Sequence, residues 1–317
     1  MRRRLWHGLT GLVERPELAI AHDFRPPPYG GSNQFLHALR RELRGRGLRV
    51  AANVVTRHTR ACLLNAHVFD ERELRRMLHP GCRVVHRVDG PVAEYRGFDD
   101  GTDRRIMALN AELAHATVFQ SSYSMDASAR LGLEFREPVV IPNAVDPDIF
   151  RPPRERPPLD GRKVRLITTS WSDNPNKGAE TYRRLEGLVD WTRFEWTFVG
   201  RIGVALERIR VVGPVPSERL AAFLREHDVF VTASVHDPAS NALLEALACG
   251  LPALYAASGG HAEIAREAGF AFSEAEEVPA LLDRLVEELE ERRLRIAVPS
   301  LAGVADRYLA LLGLRTE

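Results

Sequence analysis

The chain has 317 residues, 44% hydrophobic and 27% charged, with a net charge of +1. That is the composition of a globular protein with a real core, and it excludes a broad basic surface for nucleic acid. No run of about 20 apolar residues offers a membrane span, the basic start at residues 1–7 is followed by no apolar segment or cleavage site that would make it a signal peptide, and Cys62, Cys82 and Cys249 form no CxxC pair, so they read as buried thiols of a reducing, cytoplasmic compartment.

The first strand is expected over 18–24, followed by a proline- and glycine-rich loop ending in Gly30-Gly31. A helix over 32–46 then places Phe35, Leu36, Leu39 and Leu43 at helical spacing. Strands are expected over 48–55, 61–68, 83–88, 116–120 and 138–142, with helices over 71–78 and 102–115 between them. Such alternation argues for a parallel sheet covered by helices. A linker over 146–158 holds five prolines and marks a domain boundary.

The second half repeats the theme. Strands are expected over 164–169, 194–199, 210–212, 229–233 and 252–256, and helices over 177–189, 217–226, 242–248, 261–268, 278–293 and 301–312. The division is therefore 1–150, an N-terminal Rossmann-like domain, 151–300, a C-terminal Rossmann-like domain, and 301–317, a helix expected to cross back to the first domain. Open parallel sheets bind ligands beyond the carboxyl ends of their strands, so two such edges facing across a cleft enclose a site.

The most informative segment runs from Ser234 to Pro252. An apolar strand, 229–233, delivers a loop with Asp237, and a helix starts near Ser240 or Asn241, both good N-caps. The unpaired N–H groups around Ala239, Ser240, Asn241 and Ala242 suit a phosphate. Glu245, one turn further, is placed to accept hydrogen bonds from hydroxyls. Lys163 and Lys177 are the only lysines, and Lys177, in Asn176-Lys177-Gly178, stands at a helix start as an isolated point charge. In the N-terminal half, Gly30 and Gly31 allow close approach to a ligand, and His86, in His86-Arg87-Val88-Asp89-Gly90, ends a strand and is expected in the cleft. The scattered histidines and cysteines make no metal-ligand set, so no metal is expected.

Asp237, seven intervening residues, Glu245 and the tail Ala-Leu-Ala-Cys-Gly-Leu-Pro resemble the acidic–seven residues–acidic motif of retaining GT-B glycosyltransferases of family four. Other stretches resemble that family in the expected order: Ile141-Pro142-Asn143-Ala144-Val145-Asp146 with Phe150, the Lys177-Gly178 pair, the loop Arg210–Pro216 with Gly213 and Pro214, and Ser258-Gly259-Gly260-His261-Ala262-Glu263. The resemblance covers the chain from about Leu18 onward. It implies an α/β protein of GT-B fold, two Rossmann-like domains with the nucleotide sugar gripped by the second. It gives Asp237 contacts to the donor sugar, Glu245 the nucleotide ribose, His86 a place near the donor sugar, and Lys177 the diphosphate. One departure stands out: the family carries an arginine after the strand that precedes Lys-Gly, whereas this chain has Ser170-Trp171-Ser172 there, and Arg201, a serine hydroxyl or Asn174 would have to substitute.

The implied reaction moves a sugar, a hexose by expectation, from a UDP- or GDP-sugar to an acceptor hydroxyl on a glycan, a lipid-linked sugar or a natural product. The configuration is retained and no cofactor is needed. Two alternatives stay open: a nucleotide-sugar-binding partner subunit without turnover, and a nucleotide-sugar epimerase of the same architecture. Arg40, Arg41, Arg44, Arg46 and Arg49, with Arg2–Arg4, form either a solvated face or a basic one for peripheral contact with an anionic membrane.

Overall fold

The computed structural model describes residues 15–26 and 30–315. Two six-stranded sheets make up the molecule, and every neighbouring strand pair in both is parallel. The first sheet holds β1 (Leu18–Ala21), β2 (Val50–Ala52), β3 (Ala61–Asn65), β4 (Arg83–Arg87), β5 (Ala116–Phe119) and β6 (Pro138–Val140), in the order β2-β1-β3-β4-β5-β6. The second holds β7 (Val164–Ser170), β8 (Phe194–Gly200), β9 (Arg210–Val212), β10 (Val229–Thr232), β11 (Ala253–Ala256) and β12 (Gly269–Phe272), in the order β12-β11-β10-β7-β8-β9. The chain reverses its direction of travel across each sheet at one point, between β1 and β3 in the first and between β7 and β10 in the second. Those reversals open crevices at the carboxyl ends of the strands.

Central strands such as β1 and β10 are buried along their whole length, which is why Leu-Ala-Ile-Ala and Val-Phe-Val-Thr read as short apolar runs without alternation. Helix Gly31–Gly45 lays Phe35, Leu36, Leu39 and Leu43 on the first sheet. Helix Leu301–Leu312 inserts Leu301, Val304, Tyr308 and Leu309 into that same core, so the last helix packs on the N-terminal half.

Some elements differ from the sequence expectation. The strand expected over 48–55 is confined to β2, because Asn53 turns into a left-handed conformation (φ 58°) and its side chain bonds the backbone of His22. The helix expected over 177–189 divides into a 3-10 turn, Pro175–Lys177, and helix Ala179–Glu186, with Gly178 left-handed between them. The helix expected over 278–293 breaks at Glu288 into Val278–Glu287 and Leu289–Leu294. Strand β12 and helices Val92–Arg96 and Ser122–Arg130 have no counterpart in the sequence reading.

The arginines near the first helix have intramolecular work. Arg40 is buried over the Phe24 ring, and Arg41 pairs with Asp146. Arg44 donates to the Val50 carbonyl, Arg46 pairs with Glu42 and Asp306, and Arg49 reaches Glu17. Arg2–Arg4 lie outside the described residues. Among the described residues no helix is long and apolar enough to cross a membrane.

Candidate functional site

A cleft of about 290 Å3 lies where the two carboxyl edges meet. The ends of β7 and β10 form its floor through Thr169, Ser170, Thr232 and Ser234, which is the crevice expected at the reversal of the second sheet. Gly30, Gly31, Gln34 and Tyr95 close it from the N-terminal half. A smaller recess of about 30 Å3, bounded by Arg41, Asp146 and Phe150, adjoins it and shares Gly31, Asn241 and Glu245.

The acidic loop after β10 is held in an unusual shape. His236 adopts a left-handed backbone (φ 53°), and the Gly260 N–H donates to the Asp237 carbonyl at 2.9 Å. A Cβ on Gly259 (φ 67°) would run into that same carbonyl, so the glycine pair exists to let one backbone lie against another. Helix Asn241–Ala248 follows, with the Ser240 hydroxyl accepting from the Leu243 N–H. Ala239, Ser240, Asn241 and Ala242 all face the cleft. The start of the Gly31 helix, which has no side-chain cap, faces it from the opposite side. The Ala239 N–H is taken by the Asp237 carboxylate, but the first N–H groups of two helices from different halves still point at one space, a favourable setting for an anion.

Lys177 ends the 3-10 turn that the Asn174 side chain caps by accepting from the Asn176 N–H. A Cβ on Gly178 would overlap the backbone of Ala233, and this tight fit brings Lys177 beside the end of β10. Its Nζ donates to Asp237 Oδ2 at 2.7 Å, and the Tyr95 ring covers it at 5.3 Å. Burial alone would lower the lysine's pKa, but the Asp237 carboxylate outweighs it and holds the ammonium above its ordinary value. Burial likewise works to raise Asp237, and Lys177 holds it below the usual carboxylate range. Glu245 has no such partner: no described residue hydrogen-bonds its carboxylate, and burial pushes its pKa up to about 8.

The remaining expected site residues divide. Pro214 lines the cleft, whereas Gly213 is exposed outside its walls. Arg201 is exposed as well, its guanidinium stacked at 4.6 Å on Trp171, which is a wall residue. His86 requires a correction. It is fully buried in β4, with Nε2 2.8 Å from the Ala66 carbonyl and Nδ1 3.2 Å from the Asn110 amide, and burial lowers its pKa to about 4. The strand end that was expected to reach the cleft turns this side chain into the N-terminal core instead. Tyr95 and Gln34 were missed, because nothing in their spacing distinguishes them from surface residues.

The halves are closed on each other. Asn143 Nδ2 donates to Asn241 Oδ1 at 3.0 Å, and the Ser121 hydroxyl donates to the Pro238 carbonyl at 2.5 Å. Asn176 Nδ2 bonds the Tyr95 carbonyl at 2.7 Å, and the Glu263 carboxylate accepts from the Ser122 and Tyr123 N–H groups at 2.8 and 2.6 Å.

Residues 193–291, which include the acidic loop and the helix after it, match the family model described as Glycosyl transferases group 1. Three solved structures of similar architecture align over more than nine-tenths of both chains. Sucrose-phosphate synthase from Thermosynechococcus elongatus superposes with a TM-score of 0.71 at 16% identity, over 93% of this chain and 98% of that one. The similarity to a group 1 glycosyltransferase domain spans residues 193–291, and the whole chain has the GT-B fold. HepE from Anabaena, in a complex with UDP-glucose, gives 0.65 at 14% identity over 92% and 94% of the two chains. The catalytic domain of starch synthase IV from Arabidopsis thaliana, bound to ADP and acarbose, gives 0.65 at 11% over 93% and 98%. No curated protein sequence matches the chain. Within the matched residues lie Arg201, Gly213, Pro214, Asp237 and Glu245, while Lys177 precedes them.

Proposed function

We propose that this protein transfers a hexose from a nucleoside-diphosphate sugar to an acceptor hydroxyl, with retention of anomeric configuration. The observation that carries the reading is the convergence of Lys177, two helix starts, Asp237 and Glu245 on one closed cleft. As the glycosidic bond breaks, charge builds on the departing diphosphate. Lys177, on leaving Asp237, and the N–H groups of the helix start at 240–242 receive it. Asp237 orients the donor sugar through its hydroxyls, and Glu245 accepts from the nucleotide ribose through a carboxyl oxygen. The acceptor hydroxyl attacks from the face the diphosphate leaves, and a diphosphate oxygen takes its proton. Closure of the halves keeps water from the developing oxocarbenium ion. The reading assigns no metal and no cofactor, so turnover should survive EDTA. UDP-glucose is the first donor to try, since HepE was solved with it.

The deciding experiment is donor turnover with UDP-, GDP- and ADP-hexoses over a panel of glycan, lipid-linked and natural-product acceptors. Release of nucleoside diphosphate that disappears in Lys177→Ala and Glu245→Ala supports the proposal. Donor binding with no release of nucleoside diphosphate in the presence of any acceptor supports a second reading, a partner subunit that holds nucleotide sugar. Trp171 on the wall where the family has an arginine favours that second reading.

A further inference from the structure

We propose that Asp237 is a displaceable counter-ion through which the cleft tells a nucleoside diphosphate that carries a sugar from one that has lost it. The inference rests on the donor reading above and concerns what holds Lys177 when no donor is present. Lys177 is the only cationic side chain among the described residues lining the main cleft, because Ser170-Trp171-Ser172 supplies no arginine and Arg201 lies outside the wall. That single cation is already engaged, at 2.7 Å, by a carboxylate of its own site. The pair is poorly hydrated: the lysine side chain is 22% exposed and the aspartate 10%. Ser234 Oγ, 3.4 Å from Asp237 Oδ2, is the other side chain in hydrogen-bond range, the Ala239 backbone N–H also donates to the carboxylate, and the buried His261 lies nearby, so Lys177 is the one full positive charge bonded to it.

A diphosphate seated on Lys177 and the 241–248 helix start therefore arrives beside a buried negative charge. Two outcomes follow from whether a sugar is attached. A hexose on the terminal phosphate brings hydroxyl donors to Asp237, which replace the ammonium it gives up, and no buried charge is left unpaired. A bare diphosphate offers no donor, so phosphate and carboxylate compete for one ammonium and repel each other in a site of low polarity. The intact donor is retained, and after transfer Asp237 retakes Lys177 and helps expel the spent nucleotide.

Calorimetric titration of UDP, inorganic pyrophosphate and UDP-glucose into the wild type and Asp237→Asn tests this. The amide keeps the shape and removes the charge. The expected result is that Asp237→Asn binds UDP and pyrophosphate about tenfold more tightly than the wild type. Its affinity for UDP-glucose should stay level or fall, so the preference for the sugar-bearing ligand narrows or reverses. Unchanged or weaker UDP binding by a folded Asp237→Asn protein overturns the inference while leaving the donor reading in place. A wild type that binds none of UDP, GDP, ADP or their hexose conjugates overturns both. Should the variant not fold, a wild-type crystal soaked with UDP decides: Lys177 Nζ should leave Asp237 for a phosphate oxygen, and a lysine still paired to Asp237 with UDP bound overturns the inference.

Discussion

The two sheets share strand number and parallel pairing, yet they treat the polar residues at their carboxyl edges in opposite ways. At the N-terminal edge the polar side chains bond mainly to one another. His22 meets Asn65, His86 meets Ala66 and Asn110, and the buried Arg87 reaches Asn65, Asp89 and Asn143. At the C-terminal edge Glu245 and the helix start at Asn241 are left open to the cleft, and Lys177 holds only one exchangeable anion. Binding capacity therefore follows from which polar groups remain unsatisfied, rather than from how many a sheet edge carries. The N-terminal half contributes two glycines, Gln34 and a tyrosine ring to this cleft, and its own edge groups are engaged mainly with one another, His22 Nε2 and Arg87 Nε excepted.

The sharpest way to break this contrast is to remove the open groups. Lys177→Ala and Glu245→Ala should each lower kcat/KM for sugar transfer by about 100-fold or more, as loss of a fixed charge-stabilising group does. Next in size is Gly178→Ala. Its φ of 82° and the overlap with Ala233 predict a loss of about 3 kcal/mol, read as a fall in the denaturant midpoint. Asn143→Ala removes the bond to Asn241 between the halves and should cut transfer by roughly 5-fold, with more donor hydrolysis per transfer as closure loosens.

His86→Asn probes the satisfied edge. It should lower Tm by a few degrees, about the effect of one lost buried hydrogen bond. kcat/KM of the folded protein should stay within about twofold; a loss as large as that of Lys177→Ala would return His86 to the reaction. The smallest effects are in pH, and the two edges carry opposite signs. His22 and His86 have folded pKa values of about 4, below the ordinary 6.5, so unfolding takes up protons and stability falls as pH drops from 6.5 toward 4. Glu245, raised from 4.5 to about 8, binds a proton in the folded state that the unfolded chain releases, so its contribution declines as pH rises through that window. Glu245→Gln should flatten the alkaline side of a Tm–pH curve while impairing donor binding.

Much of this was legible in the chain itself. Asp237, Glu245 and the helix start between them are local: a buried strand, a loop and an N-capped helix fix their relative positions within a few residues, so spacing is enough. Lys177 before Gly178 is local in the same way, as are the apolar runs that become central strands. The fate of His86 was not local. Whether a strand-end histidine faces a cleft or the core depends on Ala66 and Asn110, which other strands and helices bring to it. The Lys177–Asp237 pair, the Tyr95 ring above it and the Asn143–Asn241 bond likewise join segments 60, 82 and 98 residues apart in sequence (237 − 177, 177 − 95, 241 − 143). Spacing along one segment determines which groups leave together from one element, whereas the packing of two halves decides which of them meet, and which remain free for a ligand.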